Sequence, residues 1–431
     1  MRTATTSIRK QVQLCIGKAG TPVGQLVYVK QGRRENSAIA YDEPWLSNPE
    51  RFNVSADLRL GTGYQPHKAA SPHDSVFHGA IADTAPDVWG RRVIARDHAK
   101  RRKENPRLSA LTEMDYLLAV DDFSRVGALR LRDGDGSYHR SVEEGRRSTP
   151  PLLELGKIFH ASQALERGQE TSEDLRYLQG KGTSLGGLRP KCTVIDEDGW
   201  LAIGKFPSVG DTRSVTRGEV LALQLARCAG IEAAIARIVQ LEDVPVAMIR
   251  RFDRSGTDGR IPYQSAASLL QASREEERSY TEIADAIRSY GHAPAQDLQQ
   301  LWRRLVFNLL ITNVDDHLQN HGFLHVERGL WRLSPAFDIN PFPDKERESK
   351  TWLSEQDGPI TDLEMLLARS AYFSLDKDKA LAVLAEVRAV VANWRDIAVG
   401  PEVGMRREDL EDFASAFEHE QMEIAAALLK H

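Results

Sequence analysis

Residues 11–60 alternate apolar and polar side chains. QVQLCIG and GQLVYVKQG do so around a Gly-Thr-Pro turn, and NSAIAYDEPWL adds a third run of the same kind. A period of two predicts strands with one buried face. From about Pro86 the period lengthens. PDVWGRRVIARDHAKRR and LTEMDYLLAV carry apolar residues three and four apart, which is helical spacing. VGALRL (126–131) reads as strand again. The polar, glycine-containing stretch RDGDGSYHRSVEEGRRSTPP comes next, and its aperiodicity places a domain boundary near residue 145.

Beyond that linker, LLELGKIFHASQALERG reads as a helix and GKGTSLGGLRPK (180–191) as a glycine-rich loop. CTVIDEDGWLAIGKFPS predicts a hairpin, its apolar runs joined by Asp-Glu-Asp-Gly. GEVLALQLARCAG has helical spacing with Gly230 at the C-terminal cap. AAIARIVQL and VPVAMIRRFDR predict two strands around a Leu-Glu-Asp turn. From about residue 293 the pattern is mainly helical, and EDLEDFASAFEHEQMEIAAALLK reads as one amphipathic helix at the end. The chain is of the α+β class on this reading.

Composition narrows the setting. A chain of 431 residues has room for two or three domains, and 41% apolar with 28% charged residues is ordinary for a soluble globular protein. The net charge of −5 exerts no general pull toward nucleic acid or anionic membrane. HAKRRKENPR (98–107) is a local exception, either a solvated helix end or a binding patch. Cys15, Cys192 and Cys228 are widely spaced and outside any C-x-x-C arrangement, which argues against a zinc ribbon or a disulfide framework and fits a reducing cytoplasm. The N-terminus lacks a secretory pattern, and no run approaches membrane-spanning length, so a cytoplasmic protein is expected.

The chemistry concentrates in ITNVDDHLQNHGFLHVERGLWRLSPAFDIN (311–340). Asp315 precedes Asn320 by five residues, and Asp338 comes eighteen residues later, after two apolar runs. A base, a carboxamide metal ligand and a carboxylate metal ligand in that order are what phosphoryl transfer in protein kinases uses. Two other readings of the first pair stay open. His317 and His321, four apart, could ligate a metal, although no H-E-x-x-H glutamate accompanies them. The same residues could form a simple acidic turn. Asp338 comes after LWRLSPAF, read as a strand, so it sits where a strand-end carboxylate meets magnesium.

Upstream lie weaker signals. The glycines of GTSLGGLRPK would let backbone N–H groups approach phosphate oxygens, yet the loop is not a Walker A sequence. Lys205 falls in the apolar run WLAIGKFPS, where burial is costly without an anionic partner. Glu219 stands fourteen residues on, near the start of the next helix. Strand lysine then helix glutamate matches the ion pair that positions nucleotide phosphates in kinases, although an edge lysine and a helix-start glutamate are an alternative account. The joint order of these pieces carries more weight than any one of them.

These pieces together resemble the HipA toxin family of bacterial serine/threonine kinases. The matching segments are TSLGGLRPK (183–191), IGKFPS (203–208), GEVLALQLARCAGI (218–231), IRRFDR (249–254), NVDDHLQN (313–320) and LSPAFDI (333–339). GTPVGQLVY, WL (45–46) and PDVWGRRVI match more loosely in the N-terminal part. The resemblance implies a protein-kinase-like, two-lobed fold. Its parts would be a strand-rich N-terminal subdomain (1–145), a nucleotide-binding lobe (146–255) and a mainly helical C-terminal lobe (256–431).

It also implies ATP and Mg²⁺ as cofactors. Asp315 would then orient or deprotonate the attacking hydroxyl, and Asn320 and Asp338 would hold Mg²⁺. Lys205 would contact the nucleotide phosphates with Glu219 as partner. Ser184, Gly186, Gly187 and Lys191 would form the phosphate-binding loop, and Arg250, Arg251 and Phe252 would line the adenine pocket. Ser184 falls where the family carries an autophosphorylated serine. His317 becomes a structural residue of the catalytic loop.

By the same resemblance, the substrate would be a protein, with aminoacyl-tRNA synthetases as the class. A HipB-like helix-turn-helix antitoxin would be the partner, and DNA would be reached mainly through it. Two departures stand out: the Leu-Arg-Pro run before Lys191, and the extra carboxylate Asp316 beside Asp315. A small-molecule phosphotransferase and a catalytically silent pseudokinase are the competing readings.

Overall fold

Period-two burial builds an antiparallel sheet in the first part of the chain. A computed structural model describes residues 7–140, 154–179, 189–256 and 259–430. Two compact units divide the chain. The first comprises Met1–Gly204, Asp253–Glu275 and Glu327–Gly329, and the second Lys205–Phe252, Glu276–Val326 and Leu330–His431.

In the first unit a five-stranded sheet runs in the order Gln65–Pro66, Arg34–Tyr41, Thr21–Gln31, Ser7–Ile16, Leu129–Arg132. Val12 pairs with Leu26, Leu26 with Ile39, and Leu14 with Leu131. All five side chains are buried, so the register puts one face of each strand into the core. The third expected strand is shorter than NSAIAYDEPWL: it stops at Tyr41, and Pro44 opens the short helix Glu43–Leu46. Proline favours a helix's first turn because its missing N–H has no partner there anyway.

Helices Val88–Glu104, Leu155–Arg167 and Ser172–Gln179 complete this unit with Glu113–Ala119. Asp87 caps the first of these through Gly90 N at 2.6 Å. The basic run at its other end, residues 101–107, is exposed, as expected of a solvated helix end.

The second unit is mainly helical. Its hairpin, Ala236–Leu241 and Val244–Arg250, turns at Glu242, whose φ is 52°. Helix Pro294–Leu310 runs through the core with Trp302, Val306 and Phe307 fully buried. Each such side chain contributes on the order of 2 kcal/mol by leaving water.

The C-terminal segment departs from expectation. It forms two helices, Arg407–Phe417 and Glu420–Leu428, in place of one. The corner is held by side chains from elsewhere: Trp394 stacks on Phe417 at 4.5 Å and donates its indole N–H to Glu418 at 3.1 Å, and His419 Nε2 lies 3.1 Å from the Leu310 carbonyl.

Among the described residues no helix is long and apolar enough to cross a membrane.

Candidate active site

Lys205 is the last residue of strand Leu201–Lys205 and is buried. Glu219 lies in helix Val215–Cys228, also buried. Lys205 Nζ donates to Glu219 Oε1 at 2.6 Å and to Asp338 Oδ1 at 2.7 Å. Residues fourteen and 133 positions away thus converge on one ammonium group. Burial alone would lower the Lys205 pKa; the charges of Asp338 and Glu219 outweigh it and hold the lysine above its ordinary value. The cation is therefore permanent at physiological pH. Glycine lets the Glu219 helix approach closely, since a Cβ on Gly218 would stand 2.7 Å from the Phe413 ring.

Asp338 does not sit at a strand end. The strand Leu330–Leu333 stops five residues earlier: Ser334 N still donates to Gly322 O at 2.8 Å, but Pro335 has no N–H to carry the ladder on. Backbone hydrogen bonds pin the segment leading to Asp338: Ala336 N donates to Glu232 O at 2.7 Å and Ala234 N to Ala336 O at 2.9 Å. Asp338 itself has a φ of 55°, the left-handed region that a non-glycine residue occupies only when its surroundings impose it. Phe337 meets Phe252 with ring centroids 5.3 Å apart, which brings the Arg250–Phe252 segment beside Asp338. Arg251 is buried, and Arg250 and Phe252 are half-buried.

The loop carrying Asp315 begins where helix Pro294–Leu310 ends. Thr312 turns the chain with a φ of 54°, and Asn313 bonds back to Asn308 through both backbone N–H (2.8 Å) and side chain (3.1 Å). Asp315 is 52% exposed and pairs with Lys350, itself 57% exposed, at 3.1 Å. Asn320 closes the short 3-10 turn Leu318–Asn320, and its Nδ2 donates to the Asp315 carbonyl at 3.3 Å. The accessible carboxylate is thus mounted on a braced loop.

Asp316 is the bracing, and sequence reasoning missed it. Its carboxylate is buried and taken up by partners, whereas that of Asp315 lies in water. Oδ2 accepts from Tyr280 Oη (2.7 Å) and Asn308 Nδ2 (2.9 Å) and meets His321 Nε2 (2.9 Å). Burial would raise its pKa, but His321 and Tyr280 outweigh that and hold it below the ordinary carboxylate range. Thr351 Oγ1 also bonds the Asp316 carbonyl at 2.9 Å. His321 is committed to this network, and among the described residues no cluster of three or more metal-type ligands includes His317 or His321; nor is the segment a simple acidic turn. No spacing rule points to Tyr280 or Lys350. The Asn308/Asn313 pair, five apart on either side of a helix end, is the one readable hint.

Lys191 lies in the first unit, buried, with Nζ 3.2 Å from Asp87 Oδ2. Ser184, Gly186 and Gly187 fall outside the described residues. The Mg²⁺ and nucleotide expected here fit the donor set. Asp338 and Asn320 offer the hard oxygen atoms that magnesium selects, and a fixed ammonium stands beside one of them to meet phosphate.

Comparison with known proteins bears on the fold and on the kind of domain present. Residues 183–394 match the family model of the HipA-like C-terminal domain. "Putative kinase Y4mE" of Sinorhizobium fredii is 24% identical over 345 residues, covering 74% of this chain and 75% of that protein. "Putative kinase Y4dM" of the same organism is 23% identical over 333 residues, with the same coverage. HipA of Shewanella oneidensis MR-1, solved with HipB and its operator DNA, superposes with a TM-score of 0.67 at 13% identity, covering 97% of this chain and 98% of that one. The chain therefore has the α+β, kinase-like fold seen in HipA, and its residues 183–394 match the HipA-like C-terminal domain.

Proposed function

We propose that this chain is an ATP- and Mg²⁺-dependent kinase that phosphorylates a serine or threonine hydroxyl of a protein. The observation that carries the reading is Lys205 held between Glu219 and Asp338, a buried cation fixed where a nucleotide's phosphates would need one. Magnesium–ATP supplies the transferable phosphoryl group and the neutralising divalent charge.

The chain's own residues divide the remaining work. Glu219 orients Lys205 toward the phosphates. Asp338 and Asn320 hold the metal. Asp315, exposed on its braced loop, orients the acceptor hydroxyl and receives its proton. Arg250–Phe252 line the base pocket, while Gly186, Gly187 and Lys191 belong to the phosphate loop with Ser184.

The kinase names of the Sinorhizobium relatives support the reaction class, and the HipA likeness supports a toxin paired with a HipB-like helix-turn-helix antitoxin. DNA would then be met mainly through that partner. An aminoacyl-tRNA synthetase is the protein substrate proposed, and Ser184 is the proposed site of autophosphorylation. Phosphate there would place up to about two negative charges in a loop that must hold ATP phosphates, switching the enzyme off.

The test is transfer of labelled γ-phosphate in a bacterial lysate, with mass analysis of the chain itself. Wild type should label a synthetase band and Ser184, and Asp315→Asn should label neither. Equal labelling, or none, from both proteins would overturn the reading in favour of a silent fold used for assembly.

A further inference from the structure

The first unit gathers a second set of polar side chains. Asp57 lies in the turn bridged by Ser55 and Leu58, His67 directly follows edge strand Gln65–Pro66, and His78 caps the short helix Gly79–Ala82. One ligand atom from each of the three lies within 4.8 Å of the others. His67 Nδ1 stands 3.0 Å from Asp57 Oδ2, and the two imidazole centroids are 5.2 Å apart.

Asp57 is aimed by its neighbours. Its Oδ1 accepts from Ser55 Oγ at 2.5 Å and from Gly79 N at 3.2 Å, leaving Oδ2 on the histidine side. His78 is 1% exposed, and its Nδ1 is buried with no hydrogen-bond partner. A buried ring nitrogen without a partner is costly, and such an orphan calls for an explanation.

We propose that Asp57, His67 and His78 form a binding site for a divalent transition-metal ion of the zinc type. Two imidazole nitrogens and one carboxylate oxygen are a donor set zinc takes, with a fourth position for water. Two ligands of one tetrahedral zinc stand about 3.4 Å apart at bond lengths of about 2.1 Å, so binding parts His67 Nδ1 and Asp57 Oδ2 slightly from their 3.0 Å contact. The ion replaces the His67–Asp57 contact by a bond to each and releases any proton shared between them.

The stretch supplying the ligands, Arg51–His78, contains one two-residue strand as its regular structure. A metal would tie three weakly structured segments to one another. This role is structural: none of the three ligands is among the residues assigned to phosphoryl transfer.

The experiment uses the full chain stripped of metal. Titration with Co²⁺ should give visible d–d absorption saturating at one equivalent, and calorimetry with Zn²⁺ should show the same stoichiometry. His67→Ala and His78→Ala should each weaken Zn²⁺ binding at least about tenfold, as loss of a ligand or its support does. Saturating Zn²⁺ should raise the unfolding temperature of wild type but not of the variants. If His78→Ala fails to fold, His67→Ala decides, since its side chain is partly exposed. Absence of saturable Co²⁺ absorption in wild type, or undiminished binding in the folded variants, overturns the proposal.

Discussion

Tyr280 Oη donates to Asp316 Oδ2 at 2.7 Å, joining helix Tyr280–Tyr290 to the loop that presents Asp315. The phenol is held well above its ordinary pKa by burial and by that carboxylate, so it remains a donor throughout the physiological range. Tyr280→Phe removes one of the donors to a buried charge. Stability should fall by about 1–3 kcal/mol in urea unfolding. Asp316→Ala strands the remaining donors and should cost more, on the order of 3 kcal/mol or above.

The same carboxylate makes an acid-sensitivity prediction. Its folded pKa is depressed, so its stabilisation is complete above the unfolded value of about 3.9 and is lost as pH falls through the lower folded value. Wild type should therefore lose stability more steeply below about pH 4 than Asp316→Asn does. Urea midpoints measured across that range compare the two slopes, and parallel slopes would remove Asp316 from the account.

Asp315 separates activity from stability. Its contact with Lys350 joins two half-exposed groups, worth less than about 1 kcal/mol. Asp315→Asn should leave the urea midpoint nearly unmoved while lowering phosphoryl transfer by about 10²–10⁴-fold. A large loss of stability would instead mark Asp315 as part of the loop's scaffold.

Lys205 should behave in the opposite way. Lys205→Met leaves Glu219 and Asp338 facing one another without their shared cation. Both stability and transfer should drop, the latter by about 10²–10³-fold. Lys205→Arg keeps the charge but changes the donor geometry, and should recover stability more than transfer. A variant with normal turnover would separate this ammonium from the chemistry.

Gly218→Ala tests the close approach behind Glu219. Helix propensity alone predicts a gain of up to about 1 kcal/mol. The new Cβ would meet the Phe413 ring at 2.7 Å, and overpacking costs about 1–3 kcal/mol. Net destabilisation is expected, relieved in part by Phe413→Leu in the same chain. A stabilised Gly218→Ala protein would show that the ring yields freely.

Much of the fold is legible in residue order. Period-two and period-3.6 patterns mark the N-terminal strands, the Glu219 helix and the Ala236–Arg250 hairpin, because burial on one face leaves its repeat in the chain. The break at Glu418 and His419 leaves no such mark. The apolar repeat continues across it, and the corner is made by Trp394 and Leu310 from elsewhere. The strand expected to run up to Asp338 ends early for a similar reason: Ala336 is held by Glu232 and Ala234, partners far upstream in the chain.

Side-chain type and order alone singled out Lys205, Glu219, Asp315, Asn320 and Asp338, in the succession that phosphoryl transfer in kinases uses. Only the folded chain decided what those groups do to one another. It set Lys205 between two carboxylates, turned Asp338 into the left-handed region, and buried Asp316 while leaving its neighbour Asp315 in water. It likewise brought Asp57, His67 and His78 together from three turns. Local sequence records propensity and period. The worth of a charge depends on its distance to partners and on its exclusion from water, and both are properties of packing.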